Sequence, residues 1–262
     1  MSTPSHTADL ARHFGAVFVI SRTGDHPRKR TMEKGLGVCG IAFEFFDATM
    51  GNELSAEEIA AVYDEQAALH HKTIPRKLHV SNIGCCLSHR RLYAEIERRE
   101  LPSALILEDD AHPLPERLSH LSQCISELPA DWDLLYLGIR GHRRAPLSFR
   151  LKLHFMLPFA RLLQPRKYRL SHAESSRLYL RPYSERLDRA GYHQGTHAYA
   201  VSRKGAAILH AQFARISAPA DASIGTLILE GKLNAFAVRD NMFTTTGEDS
   251  QIDHEQKGGA LS

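Results

Sequence analysis

The sequence predicts an α/β architecture, a mainly parallel sheet flanked by helices, on three observations. Short unbroken apolar runs at 16–20 (AVFVI) and 104–107 (ALIL) read as strands buried on both faces, and 133–137 (DLLYL) reads as another strand. Stretches with helical apolar spacing separate these runs, as in βαβ units. The chain's 262 residues, 43% hydrophobic and 24% charged, suffice for one large domain or two small ones with a true core.

In chain order, residues 1–15 are polar and expected to be disordered, and the strand at 16–20 runs into a turn, Ser21 to Asp25. Residues 26–34 can form a helix, which Gly35, Gly37 and Gly40 should break before a second strand at 43–46. Ser55 and Glu58 form a capping box that opens a helix expected to reach His71. A helix over 83–100 buries Ile83, Leu87, Tyr93 and Ile96, and Pro102 ends it. The strand at 104–107 meets Glu108-Asp109-Asp110, followed by a helix over 114–128 and the strand at 133–137. Over 147–155 apolar and polar residues alternate, which predicts a strand or hairpin. A strand at 196–201, helices capped by Ser202 and Asp221, and a last strand at 233–238 complete the domain over 16–246, with 247–262 as a flexible tail.

Composition excludes collagen-like, low-complexity and wholly disordered chains. No apolar run approaches the ~18–20 residues of a membrane span, and no secretory signal is visible at the start. Four cysteines without a repeating spacing suggest reduced thiols and a cytoplasmic location. The net charge of +3 hides an asymmetry. Residues 140–189 carry 11 Arg and 2 Lys against 3 acidic residues, a basic insertion inside an otherwise acidic chain.

Glu108, Asp109 and Asp110 are the strongest chemical signal. Adjacent carboxylates at the end of an apolar strand repel one another unless a cation or hydrogen bonds compensate, and ligands of open α/β sheets sit at such strand ends. Alternation puts Glu108 and Asp110 on one side and Asp109 on the other, an arrangement that suits Mg²⁺ or Mn²⁺. The same carboxylates could instead cap the helix that follows. Gly84-Cys85-Cys86-Leu87-Ser88-His89 reads as a helix start, either an anion-binding N-terminus or an ordinary cap.

These pieces occur in the order found in glycosyltransferase family 25, which the chain resembles over about residues 16–252, with a gap over 140–190. The resemblance rests on Val17 to Ile20, Phe45 to Ala48, Gly84 to His89, Ala104 to Asp110, Trp132-Asp133, Ala198 to Ala206, Pro219 to Asp221 and Ser250-Gln251-Ile252. The spacing of G-C-x-L-S-H and L-I-L-E-D-D makes it specific. It implies a GT-A-like, Rossmann-related fold, a nucleotide-sugar donor such as UDP-galactose, and transfer with inversion. Glu108, Asp109 and Asp110 then correspond to the family's D-x-D-like metal site. The sequence departs from the pattern at Ser21-Arg22, at Ala111-His112 and at Ala220.

On that reading a divalent cation at Asp110, assisted by Glu108 or Asp109, neutralises the leaving diphosphate. Arg22 and Arg28 contact phosphate, Asp47 the ribose, and Gly84 and Ser88 the donor. Asp221 takes the acceptor's proton and His89 positions the donor, while His193 and His197 stand near the acceptor. The acceptor is a saccharide or glycolipid of lipopolysaccharide or surface-glycan type. Residues 140–190 hold an anionic membrane surface or the acceptor's phosphates, placing the enzyme on the inner face of the membrane. Two other classes compete: a catalytically inactive binding protein on the same fold, and a metal-dependent phosphohydrolase or nuclease. The basic stretch lacks the aromatic pattern of an RNA-binding sheet, so nucleic acid is not expected.

Overall fold

The computed structural model describes residues 13–140, 145–163 and 170–245. The expected disordered start, the tail after 246 and the Ser250-Gln251-Ile252 match therefore lie mainly or wholly outside the described residues.

An eight-stranded sheet organises the chain, in the order β2-β1-β3-β8-β5-β9-β7-β6. Its strands are β1 Ala16–Ser21, β2 Glu44–Asp47, β3 Ser103–Glu108, β5 Leu134–Gly138, β6 Arg181–Pro182, β7 Leu187–Arg189, β8 Ala198–Ser202 and β9 Ala235–Val238. Six of the eight run one way; β7 and β8 run against them. The expected α/β class with a mainly parallel sheet is what the chain adopts. Phe18 pairs with Ile106 and Ile20 with Glu108, so β1 and β3 end together at one edge of the sheet. A separate two-stranded antiparallel pair, β4 Ala111–Pro113 with β10 Phe243–Thr245, begins three residues past the end of β3.

Alternation along the strands divides the core into two layers. Phe18, Ile106, Tyr136 and Tyr199 face one layer; Val17, Val19, Leu105, Leu107, Leu135 and Phe236 face the other. Each fully buried Leu, Ile or Phe contributes about 1.5–3 kcal/mol relative to exposure. The first layer is covered by α4 Val80–Arg98, α9 Arg203–Gln212 and α10 Ala220–Glu230, and the second by α1 His26–Val38 with α5 Pro115–Leu118 and α6 Leu121–Ser126.

Several boundaries differ from the sequence expectation. Helix α1 continues through Gly35 and Gly37, held by the buried Met32 and Leu36. The helix expected to reach His71 is split into α2 Ala56–Val62 and α3 Glu65–Leu69, because Tyr63 becomes extended and bridges to Ile216. The 114–128 helix is likewise two short helices, α5 and α6. The largest correction concerns 147–155. It is no strand but the first half of α7 Leu147–Leu163, followed after 169 by α8 His172–Ser175. Leu147, Leu151, Phe155 and Phe159 recur every four residues, so the same apolar positions satisfy a helical face, and all four are exposed.

Candidate active site

The sheet edge where β1 and β3 end carries two adjoining cavities. The first, about 150 Å³, is lined by Ser21, Arg22, Arg28, Thr49 to Asn52, Cys85, Ser88, His89 and all three carboxylates Glu108, Asp109 and Asp110. The second, about 400 Å³, is lined by Arg76, Cys85, Glu108, Asp110, Arg140, Gly195, Thr196, His197 and Asp221. Glu108 and Asp110 belong to both and Asp109 only to the first, as strand alternation predicts.

Each carboxylate has its own surroundings. Asp109 accepts from Ser21 Oγ at 3.0 Å and from Arg28 Nη1 at 2.7 Å, so both of its oxygens are engaged by β1 and α1. The Arg28 guanidinium is pushed above its ordinary range: burial opposes the shift, but the hydrogen bond and charge of Asp109 outweigh it. Glu108 accepts from the Thr196 hydroxyl, and His89 Nε2 lies 3.7 Å from its Oε1. Burial works against its charge, yet His89 and Thr196 together hold it below the usual carboxylate range. Asp110 is pushed up to about 6, first by burial and then by the charge of Glu108. Arg140 Nη2 donates to Asp110 Oδ2 at 3.2 Å, whereas Asp110 Oδ1 is buried and without a hydrogen-bond partner among the described residues.

That orphaned oxygen fits a cation. Asp110 with Glu108 offers hard carboxylate oxygens of the kind Mg²⁺ and Mn²⁺ take. Cys85, His89 and Glu108 also bring one donor atom each within 4.8 Å of one another. Burial pushes the Cys85 thiol well above its ordinary range, so it stays protonated and is a poor ligand. The carboxylate pair is the better match.

His89 is almost fully buried in α4, and its Nδ1 lies 2.8 Å from the Tyr199 hydroxyl, itself 2.7 Å from the Tyr93 hydroxyl. The ring therefore orients Glu108 from behind and reaches the first cavity only along one edge. Ser88 is equally buried. Its Oγ accepts from Thr49 N and donates to Gly84 O, both at 2.8 Å, which fixes the 49–51 turn that lines the cavity.

Three expectations about this region need correction. Gly84 is not at a helix start: α4 begins at Val80 and His79 caps it, so the N–H groups near Gly84 are not free for an anion. Its function is close packing, since a Cβ there would lie 2.6 Å from Gly51 N. Asp47 does not line either cavity; its carboxylate is exposed and 3.7 Å from Lys29 Nζ. Asp221 lies inside the first turn of α10 and is not its cap, which is Pro219. The Asp221 side chain instead accepts from Gly195 N at 3.0 Å and from Ala222 N at 2.7 Å, and it faces the second cavity.

Arg22 lines the exposed rim of the first cavity. His197 lines the second, while His193 is buried and accepts from Gly191 N at 3.0 Å. Sequence reasoning gave no role in the site to Thr196, Arg140, Tyr199 or the 49–51 turn. Arg140 stood there only as the first residue of the basic stretch and Tyr199 only within the 198–206 match, while Thr196 was legible as a polar residue at the mouth of a strand.

The family model for glycosyltransferase family 25 (LPS biosynthesis protein) matches residues 14–224. Procollagen galactosyltransferase 1 of Danio rerio is 32% identical over 136 residues, 48% of this chain and 21% of the relative. Procollagen galactosyltransferase 2 of Homo sapiens is 29% identical over 129 residues, covering 48% and 21%. A Bos taurus protein described as a probable inactive glycosyltransferase 25 family member 3 is 30% identical over 129 residues, covering 48% and 22%. The chain thus spans about a fifth of the length of these relatives. Among solved structures, CMP:2-keto-3-deoxy-manno-octonic acid synthetase complexed with CTP is 16% identical with a TM-score of 0.39, over 94% of this chain and 97% of that one.

Proposed function

The chain belongs to glycosyltransferase family 25, and from that premise we propose that it transfers a hexose, galactose in the first instance, from a UDP-sugar to a saccharide or glycolipid acceptor with inversion. The observation that carries this reading is the position of Glu108 and Asp110 at the junction of two cavities, with one Asp110 oxygen buried and unpartnered among the described residues. The first cavity offers Arg22 and Arg28 to a diphosphate; the second offers Asp221 to an acceptor hydroxyl.

Glu108 and Asp110 would hold Mn²⁺ or Mg²⁺, and such an ion, when bound, offsets the charge of the diphosphate leaving group. Arg28, braced by Asp109, keeps its guanidinium over the donor cavity. Asp221, fixed by two backbone N–H groups, takes the acceptor's proton as the new bond forms. The galactosyltransferase names of the relatives support the sugar class, and the LPS description of the family model supports a surface-glycan acceptor.

The intact acidic triplet and its partners favour an enzyme over an inactive binding protein of the Bos taurus kind. A screen of UDP-hexoses for donor hydrolysis and transfer, with and without Mn²⁺, tests the proposal. Turnover of a UDP-hexose that needs the metal and is lost in Asp110→Asn is expected. Absence of turnover with every nucleotide sugar would replace it with the inactive binding protein, and hydrolysis of phosphate esters instead with the phosphohydrolase.

Docking on an anionic membrane is part of the same proposal. Among the described residues no helix is long and apolar enough to cross a membrane. The exposed Leu147, Leu151, Phe155, Phe159 and Leu162 of α7, within the basic insertion, support a helix lying on the surface of the inner leaflet.

A further inference from the structure

At the far end of the sheet from the carboxylates, where β5 and β9 begin, lies a cavity of about 530 Å³. Arg177, Arg181, Arg189, Lys204 and Lys232 line it, against Asp131 and Asp133. The two lysines are neutralised: Lys204 Nζ is 2.9 Å from Asp133 Oδ1, and Lys232 Nζ 2.8 Å from Glu230 Oε2. Among the described residues no carboxylate forms an ion pair with the three arginines. Arg177 donates to the Leu229 carbonyl at 2.8 Å, and Arg189 to the Asn234 side-chain carbonyl at 3.3 Å. Arg181 Nε is buried and has no hydrogen-bond partner among the described residues.

A buried guanidinium N–H without an acceptor gives up its hydration with no hydrogen bond in return, and like charges beside it add to that cost. Burial, reinforced by Arg177 and Arg189, pushes Arg181 below its ordinary range. The fold nevertheless holds the group. Arg181 and Arg189 are cross-strand partners in β6 and β7, and the Arg189 guanidinium stacks 4.9 Å from the centre of the Tyr183 ring and 5.3 Å from that of Phe236. Planar donor forks fixed around a cavity match the oxygens of a phosphoryl group.

We infer that this cavity is a second binding site, separate from the candidate active site, for a small phosphorylated molecule held by Arg177, Arg181 and Arg189. The inference stands apart from the transferase reading, because its test reads binding and not turnover. The full chain is titrated calorimetrically with inorganic phosphate and with glucose 1-phosphate, and its melting temperature is followed in sodium phosphate against sodium chloride at equal ionic strength.

Phosphate should raise the melting temperature of the parent chain, Arg181→Gln should weaken binding at least tenfold, and Arg98→Gln, on the exposed surface away from both cavities, should leave it unchanged. Should Arg181→Gln fail to fold, Arg189→Gln, at the exposed arginine of the same cavity, should still weaken binding several-fold. Loss of the effect in Arg28→Gln with retention in Arg181→Gln would place the anion in the donor cavity and overturn the inference. So would no response to either phosphate compound. A response only to phosphatidylglycerol vesicles, lost in Arg181→Gln, would replace the small ligand with a membrane surface.

Discussion

Arg28 Nη1 and Asp109 Oδ1 are 2.7 Å apart, and this pair separates two neighbouring carboxylates that look equivalent in the sequence. Asp109 is spent on bracing α1 against β1, whereas Asp110 keeps a free buried oxygen. Their amide variants should therefore differ. Asp110→Asn should reduce transfer a hundredfold or more and abolish its response to Mn²⁺, with little change in melting temperature. Asp109→Asn should cost about 10–100-fold, chiefly through donor KM, because it loosens a positioning contact. Steady-state kinetics at varied UDP-sugar and Mn²⁺ separate the two. Equal loss in kcat for both would show that Asp109 is itself a metal ligand.

The Tyr93–Tyr199–His89 chain behind Glu108 predicts a stability effect. Tyr199→Phe removes the hydroxyl between two buried polar groups, which leaves His89 Nδ1 and Tyr93 OH short of a partner. A loss of about 1–3 kcal/mol in urea unfolding is expected. A variant as stable as the parent would mean that a water takes the hydroxyl's place.

Gly84 distinguishes packing from anion binding. A Cβ there would lie 2.6 Å from both Gly51 N and Thr49 O, backbone atoms that cannot rotate away. Gly84→Ala should cost about 1–3 kcal/mol and raise the donor KM by shifting the 49–51 turn. Thermal melts and donor titrations check this; an unchanged melting temperature would show that the 49–51 turn yields to the added methyl without cost.

What the sequence conveyed depended on which physical signal was local. Strands β1, β3 and β5 were legible because burial on both faces writes an unbroken apolar run. The Ser55–Glu58 capping box was legible because its partners are three residues apart. Helix α7 was not, since leucines and phenylalanines spaced by two and by four satisfy either period until length decides. The triplet could be read from its charge, but the partners that give each member a separate role could not. Thr196 and Arg140 lie 88 and 30 residues from the carboxylates they bond. Asp221 was legible as an acid at a helix start, but its grip on Gly195 depends on a tertiary contact 26 residues away.

Burial of His193 makes stability fall with acid. Its imidazole is pushed down to about 4 by burial, while an unfolded histidine titrates near 6.5. The unfolded chain therefore takes up a proton over this window that the folded chain refuses. Stability from this site is fully present above pH ~6.5 and is lost as pH falls toward 4, by about 2 kcal/mol between pH 6.5 and 5. His193→Gln should flatten that part of the pH profile, with a residual slope from His71 and His197, whose burial lowers them as well. Urea midpoints at pH 7, 6 and 5 measure it. An equally steep profile in the variant would assign the acid sensitivity elsewhere.

The exposed face of α7 predicts a contact whose salt dependence is diagnostic. Leu151 and Phe155 are 48% and 69% exposed, more than a soluble surface helix ordinarily leaves to water in one row. A purely electrostatic attachment to anionic vesicles would vanish at high salt, because the Debye length shrinks to about 3 Å at 1 M. Insertion of apolar side chains survives salt and adds to the roughly 1 kcal/mol that each nearby basic residue supplies. Co-sedimentation with phosphatidylglycerol vesicles should thus fall only in part at 1 M salt for the parent chain. In Leu151→Glu/Phe155→Glu it should disappear already at 0.15 M. Vesicle binding that is abolished by salt yet unaffected by the double substitution would assign it to the basic residues alone, with the apolar row then facing another protein surface.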